Sequence, residues 1–194
     1  MSSSETTKPQ RGHPSPMMFI SLGIGGAIAL ILIVVVSLLT GGSSPSTSQT
    51  SKNALVGTKV SGFTLNSLST GTVSAPYEKG HPTVLFFFAS WCGPCHVELP
   101  RVAKYLSSHP QNSVKIVGLD EVDNPKSGLA FAKKSGVSFP LASDPSGNVE
   151  ASIFKFAYLP YTVFVDAKGV VRTVDYAPIS IANLNKGIAS ITKP

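Results

Sequence analysis

Val84-Leu85-Phe86-Phe87-Phe88-Ala89 runs directly into Ser90-Trp91-Cys92-Gly93-Pro94-Cys95-His96-Val97-Glu98-Leu99-Pro100, and the reading of this stretch decides the fold. Its first six residues form a short unbroken apolar run, the pattern of a strand buried on both faces. Gly93-Pro94 ends that run, and the residues from Gly93 to Ser108 follow as a helix. The two cysteines of the chain therefore stand where a strand gives way to a helix.

That position matters more than the spacing. A helix start presents unpaired backbone N–H groups and the positive end of the macrodipole. A thiolate there is stabilised and becomes nucleophilic near neutral pH. Cys92 is expected at the open helix end, exposed, and Cys95 one turn in, more buried. Attack by Cys92 on a disulfide would form a mixed disulfide, which Cys95 would resolve. As a staple the pair would do little, because it closes almost no loop; its value is chemical, in redox exchange or ligation.

Ligation has three forms here. Cys92-Gly93-Pro94-Cys95-His96 satisfies the Cys-x-x-Cys-His pattern of covalent haem attachment. The methionines, Met1, Met17 and Met18, lie in the N-terminal segments, so His81 or His109 would have to supply a second axial ligand. A structural zinc site needs four ligands, and a copper-carrying module needs a methionine or histidine cluster; scattered histidines support neither. A membrane-tethered haem- or metal-binding module is thus the alternative from a different class. Two unreactive buried cysteines fit poorly with Gly-Pro at a helix start.

Outward from the motif the pattern stays globular. Val114–Leu119 and Tyr161–Val165 are further apolar runs, and Val170–Val174 alternates. Helical patterns cover Ser127–Ser135, with Ser127 as a capping-type residue, and the face Val149, Ile153, Phe156. Ile181, Leu184, Ile188 and Ile191 line a last helix, capped by Ser180. Strands and helices in this order predict an α/β fold with a central mixed β-sheet flanked by helices.

The N-terminal part is different. Residues 1–16 read as a disordered cytoplasmic tail. Met17–Leu39 carries no charge and has no polar face. As a helix it would span about 34 Å, just over the hydrocarbon core of a bilayer. A cleaved signal peptide would have a shorter apolar stretch and a small-x-small cleavage site, so a retained transmembrane anchor is expected. Residues 40–53, mostly Ser, Thr, Gly and Pro, read as a flexible linker, and residues 54–194 as the folded domain. Lys8 and Arg11 precede the anchor, which places the N-terminus in the cytoplasm and the domain outside, on a single-pass plasma-membrane protein in contact with the lipid bilayer. The net charge of +6 is dispersed, with Lys133-Lys134 as its densest spot. No basic stripe interleaves with aromatics, so no nucleic-acid partner is expected.

The run from Ala89 to Pro100 resembles the active site of the thioredoxin superfamily, most closely its TlpA/ResA-like, membrane-tethered, extracytoplasmic branch. Val56-Gly57, Gly62-Phe63-Thr64-Leu65, Gly80-His81-Pro82, Phe139-Pro140-Leu141, Asp144, Leu159-Pro160-Tyr161-Thr162, Val165-Asp166 and Gly169 follow the family order. The resemblance implies a thioredoxin-like fold and a thiol–disulfide oxidoreductase with Cys92 and Cys95 as a redox-active disulfide. It implies a cis peptide before Pro160 and substrate contacts at Trp91, Leu159 and Pro160, with no cofactor and no metal. Thioredoxins carry an acid on the strand six residues before the first cysteine; here that residue is Phe86. The branch carries an acid at Glu98, which would take the proton from Cys95; otherwise Glu98 is a solvated helix residue. The expected partners are the thiols and disulfides of exported proteins and, for a reductant, a membrane electron-transfer protein. Cytochrome c maturation is the branch's best-known setting. A peroxidase would show a Pro-and-Thr-led cysteine, which is absent.

Overall fold

A computed structural model of the chain describes residues 54–156 and 158–193. The expected tail, anchor and linker at 1–16, 17–39 and 40–53 lie outside the described residues, and among the described residues no helix is long and apolar enough to cross a membrane.

The chain enters through a hairpin, β1 (Thr64–Ser67) and β2 (Thr72–Ser74), and a short 3-10 turn, Pro76–Lys79. Then follow β3 (Thr83–Phe88), α1 (Cys95–Ser108), β4 (Lys115–Glu121), α2 (Pro125–Lys134), β5 (Leu141–Asp144), a π-helical turn (Glu150–Phe154), β6 (Tyr161–Val165), β7 (Val171–Asp175) and α3 (Ile181–Thr192). The strands form one mixed sheet in the order β2-β1-β5-β4-β3-β6-β7. β3 runs parallel to β4, and β4 to β5, through the crossovers α1 and α2. β6 returns antiparallel to β3, as the expected mixed sheet requires.

Every residue of β3 is buried, which is why its sequence after Thr83 is a continuous apolar run. Alternate side chains serve opposite faces. Leu85 and Phe87 join Leu119, Phe154, Tyr161 and Val163. Val84 and Phe86 join Val102 of α1, Phe164, and Leu184 and Ile188 of α3. Each such side chain contributes about 1.5–3 kcal/mol by leaving water. A third cluster at the end of β3 contains Phe88, Ala89, Cys92, Cys95, Leu99 and Phe131, so the apolar core reaches the cysteines.

Three local expectations are corrected. α2 does not begin at Ser127: the Asn124 side chain accepts the Lys126 N–H at 3.0 Å, and Pro125 opens the helix. An Asn cap followed by a proline with its φ preset outweighs the later serine. α1 begins at Cys95, not Gly93; Cys92-Gly93-Pro94 forms the turn that leads into it. Of the face Val149, Ile153, Phe156, only Ile153 lies within an element, and that element is a π-helical turn with Val149 as its N-cap, not an α-helix. It is closed by Lys155 in the left-handed region at φ 57°, so Phe156 falls beyond its end. Ser180 does cap α3, accepting the Asn183 N–H at 3.1 Å.

Candidate active site

Cys92 and Cys95 are joined as a disulfide at the start of α1. The Cys95 N–H is shared between the Cys92 carbonyl at 3.1 Å and the Cys92 sulfur at 3.2 Å, so the first α1 amide also addresses the sulfur that the helix-start argument makes the nucleophile. The expected exposure of Cys92 needs correction. It is 4% exposed and Cys95 1%; the expected order holds, but the bonded pair is buried under its own loop. Trp91 stands beside it, 62% exposed, with its indole N–H donating to the Val122 carbonyl at 3.0 Å. Asp123 accepts the Ser90 N–H at 2.6 Å and so ties the cysteine loop to the end of β4. His96, which covalent haem attachment would use as an iron ligand, turns a ring nitrogen to the Ser90 carbonyl at 2.8 Å and lays its ring against Phe131.

The Leu159–Pro160 peptide bond is cis. Leu159 packs against the cluster that holds both cysteines, so the loop before β6 and the motif after β3, far apart in sequence, form one surface. Leu159 makes no hydrogen bond among the described residues, and its backbone is free to meet an extended peptide.

Glu98 is buried, at 4% exposure, which overturns its reading as a solvated residue. Its Oε1 accepts the Ile179 N–H at 3.3 Å and the Thr162 hydroxyl at 3.4 Å. Burial pushes its carboxyl up to about 7, against the pull of those hydrogen bonds and of the Arg101 charge. Arg101 in turn donates to the Ile179 carbonyl. On β3 the residue six positions before Cys92 is Phe86, buried and stacked on Phe139 at 5.8 Å. Glu98 is therefore an acid one helical turn from Cys95, held near neutral pKa.

Sequence reasoning missed three other buried acids. Asp120 and Glu121 end β4, and Glu150 opens the π-helical turn. Burial pushes Asp120 up to about 8, Glu121 to about 10 and Glu150 to about 6, each helped by acidic neighbours. The available signal was the run Leu119-Asp120-Glu121 at the carboxyl end of an apolar strand, the edge of a parallel sheet where sites gather.

The sequence model of the AhpC/TSA family matches residues 56–174. Sporulation thiol-disulfide oxidoreductase A of Bacillus subtilis is 27% identical over 127 residues, covering 64% of this chain and 76% of that protein. Thiol-disulfide oxidoreductase ResA of Bacillus thuringiensis is 25% identical over 116 residues, 60% of this chain and 66% of that one. The structure of MTB DsbF in its mixed oxidized and reduced forms superposes with a TM-score of 0.60 at 30% identity, over 67% of this chain and 95% of that chain.

Proposed function

We propose, since this chain belongs to the AhpC/TSA family and has a thioredoxin-like fold, that it is an extracytoplasmic thiol–disulfide oxidoreductase that reduces or exchanges disulfides in exported proteins. The observation that carries this is the Cys92–Cys95 disulfide at the start of α1, beside the cis Leu159–Pro160 bond. In the reduced protein the Cys92 thiolate attacks a substrate disulfide. A mixed disulfide forms and the first substrate sulfur leaves as a thiolate. Cys95 gives its proton to the Glu98 carboxylate and attacks the Cys92 sulfur, and the second substrate sulfur leaves. Two electrons have then passed to the substrate, and the protein pair is oxidised. Trp91 and the Leu159 backbone border the cysteines and hold the substrate strand during both steps.

Gly93-Pro94 is the dipeptide of thioredoxin, whose potential lies near about −270 mV, against about −120 mV for a strong oxidant. That favours a reductant, re-reduced by a membrane dithiol carrier. The charge bias around residues 17–39 supports an anchor with the domain outside. Titrating the pair against dithiothreitol and glutathione tests the direction. A midpoint in the thioredoxin range is expected; one near the strong-oxidant end would make the protein a disulfide donor instead.

A further inference from the structure

A cavity of about 360 Å3 opens between the cysteine loop and the π-helical turn, walled by Trp91, Val122, Gly147, Glu150, Phe156 and Leu159. We propose that this cavity is a side-chain pocket that takes a lysine or arginine of the substrate polypeptide, with the Glu150 carboxylate as its counter-charge. The inference rests on the site being a thiol–disulfide oxidoreductase and names a class of substrate it selects.

Glu150 is 8% exposed and lines the cavity, and its Oε1 has no hydrogen-bond partner. A buried carboxylate without a partner is costly, and a cation or a proton removes the cost. Among the described residues no neighbouring side chain supplies a cation. Asp144 is spent on the N–H groups of Asn148 and Val149 and the Ser146 hydroxyl. Glu121 and Tyr161 are fully buried, and neither makes a hydrogen bond to Glu150. Burial and the charges of Asp144 and Glu150 keep Glu121 protonated at neutral pH. Glu150 is the acid that faces the cavity, and among the described residues it makes no ion pair.

The walls suit a long aliphatic stem with a charged tip. Val122, Phe156 and Leu159 offer apolar surface, and Trp91 an indole beside which a cation is favoured. At Gly147, φ is 65°, and an added Cβ would lie 2.9 Å from Val122 and 3.8 Å from the Glu150 carboxylate; the glycine leaves that wall clear. The unpaired backbone of Leu159 stands at the rim, so a substrate strand lying along it can lower a side chain into the pocket. The net charge of +6 disfavours cationic peptides at long range, so a preference for them has to arise locally.

The test uses peptides with one cysteine, held as a mixed disulfide with 2-mercaptoethanol. Lysine is placed at each of the two positions on either side of the cysteine and compared with norleucine there. The single-turnover rate constant for oxidation of the reduced protein is followed by Trp91 emission. At one position the lysine peptide should react about tenfold faster than its norleucine twin, the scale of one charge-assisted hydrogen bond. In Glu150→Gln that ratio should fall towards one. Should that variant not fold, Ala151→Leu, at an exposed residue on the rim, should lower the ratio by narrowing the cavity. A wild-type ratio near one at every position overturns the proposal, as does a ratio that survives the substitution. If no peptide, lysine or norleucine, oxidises the reduced protein, the oxidoreductase reading itself has failed, and the pocket assignment with it.

Discussion

At the scale of single residues, Glu98 couples the resolving step to pH. Its carboxyl titrates at about 7 in the fold, against an ordinary value of 4.5. Below pH 4.5 it is protonated whether the chain is folded or not. Between 4.5 and 7 the unfolded chain releases the proton first, so stability falls as pH rises; above 7 the loss is complete. The difference amounts to about 3 kcal/mol. Gln at this position keeps an oxygen for the Ile179 N–H but cannot ionise. Urea unfolding of Glu98→Gln and wild type should therefore diverge in the variant's favour by up to about 3 kcal/mol between pH 4.5 and 8; parallel curves would mean that burial does not shift this acid. In stopped-flow, the same variant should slow attack by Cys95 more than attack by Cys92, and should lose the rise in rate around pH 7. Equal slowing of both steps would remove Glu98 from proton transfer. The two thiols should also separate. Cys92, nearer the surface and addressed by an α1 amide, should take limiting iodoacetamide first in the reduced protein, and Cys95→Ser should trap mixed disulfides. Preferential labelling of Cys95 would reverse the assignment.

At the scale of elements, helices seat the site by close approach to the sheet. In α3 a Cβ added at Gly187 would lie 2.3 Å from ring carbons of Phe164 on β6. Gly187→Ala should therefore destabilise the domain by about 1–3 kcal/mol, read as a lower midpoint in thermal unfolding; an unchanged midpoint would mean that β6 and α3 separate without cost. Much of the elements was legible in the sequence. The apolar runs at β3, β4 and β6 mark strands covered on both faces, interrupted by exposed Lys115 where β4 starts and by buried Thr162 in β6, and the stripe Ile181, Leu184, Ile188, Ile191 marks the face α3 turns to the core. The π-helical turn was not legible: Val149, Ile153 and Phe156 have α-helical spacing, and the widened turn leaves no mark in apolar periodicity. The burial of Glu98 was hidden for another reason. Its partner Ile179 lies 81 residues away, and a glutamate one turn beyond Cys95 reads the same in sequence whether it faces water or β6. The acids Glu121 and Glu150 meet only through the turn that the sequence did not reveal.

At the scale of the whole molecule, the proposed topology predicts that alkaline phosphatase fused after residue 194 is active and stays with the membrane fraction. An inactive fusion, or a mature N-terminus near Ser43, would place the domain or its attachment differently. Within the domain, β3 leads into the disulfide-bearing loop and is paired on both edges, parallel to β4 and antiparallel to β6, with all six residues buried. In native-state deuterium labelling its amides should then be the slowest to exchange, released only when the entire domain opens. The cysteine loop and the turn before Pro160 have no such protection. The protein can thus let the rim of its site breathe to admit and release a bulky polypeptide partner, while the base on which the sulfurs are mounted keeps its place for the lifetime of the folded state.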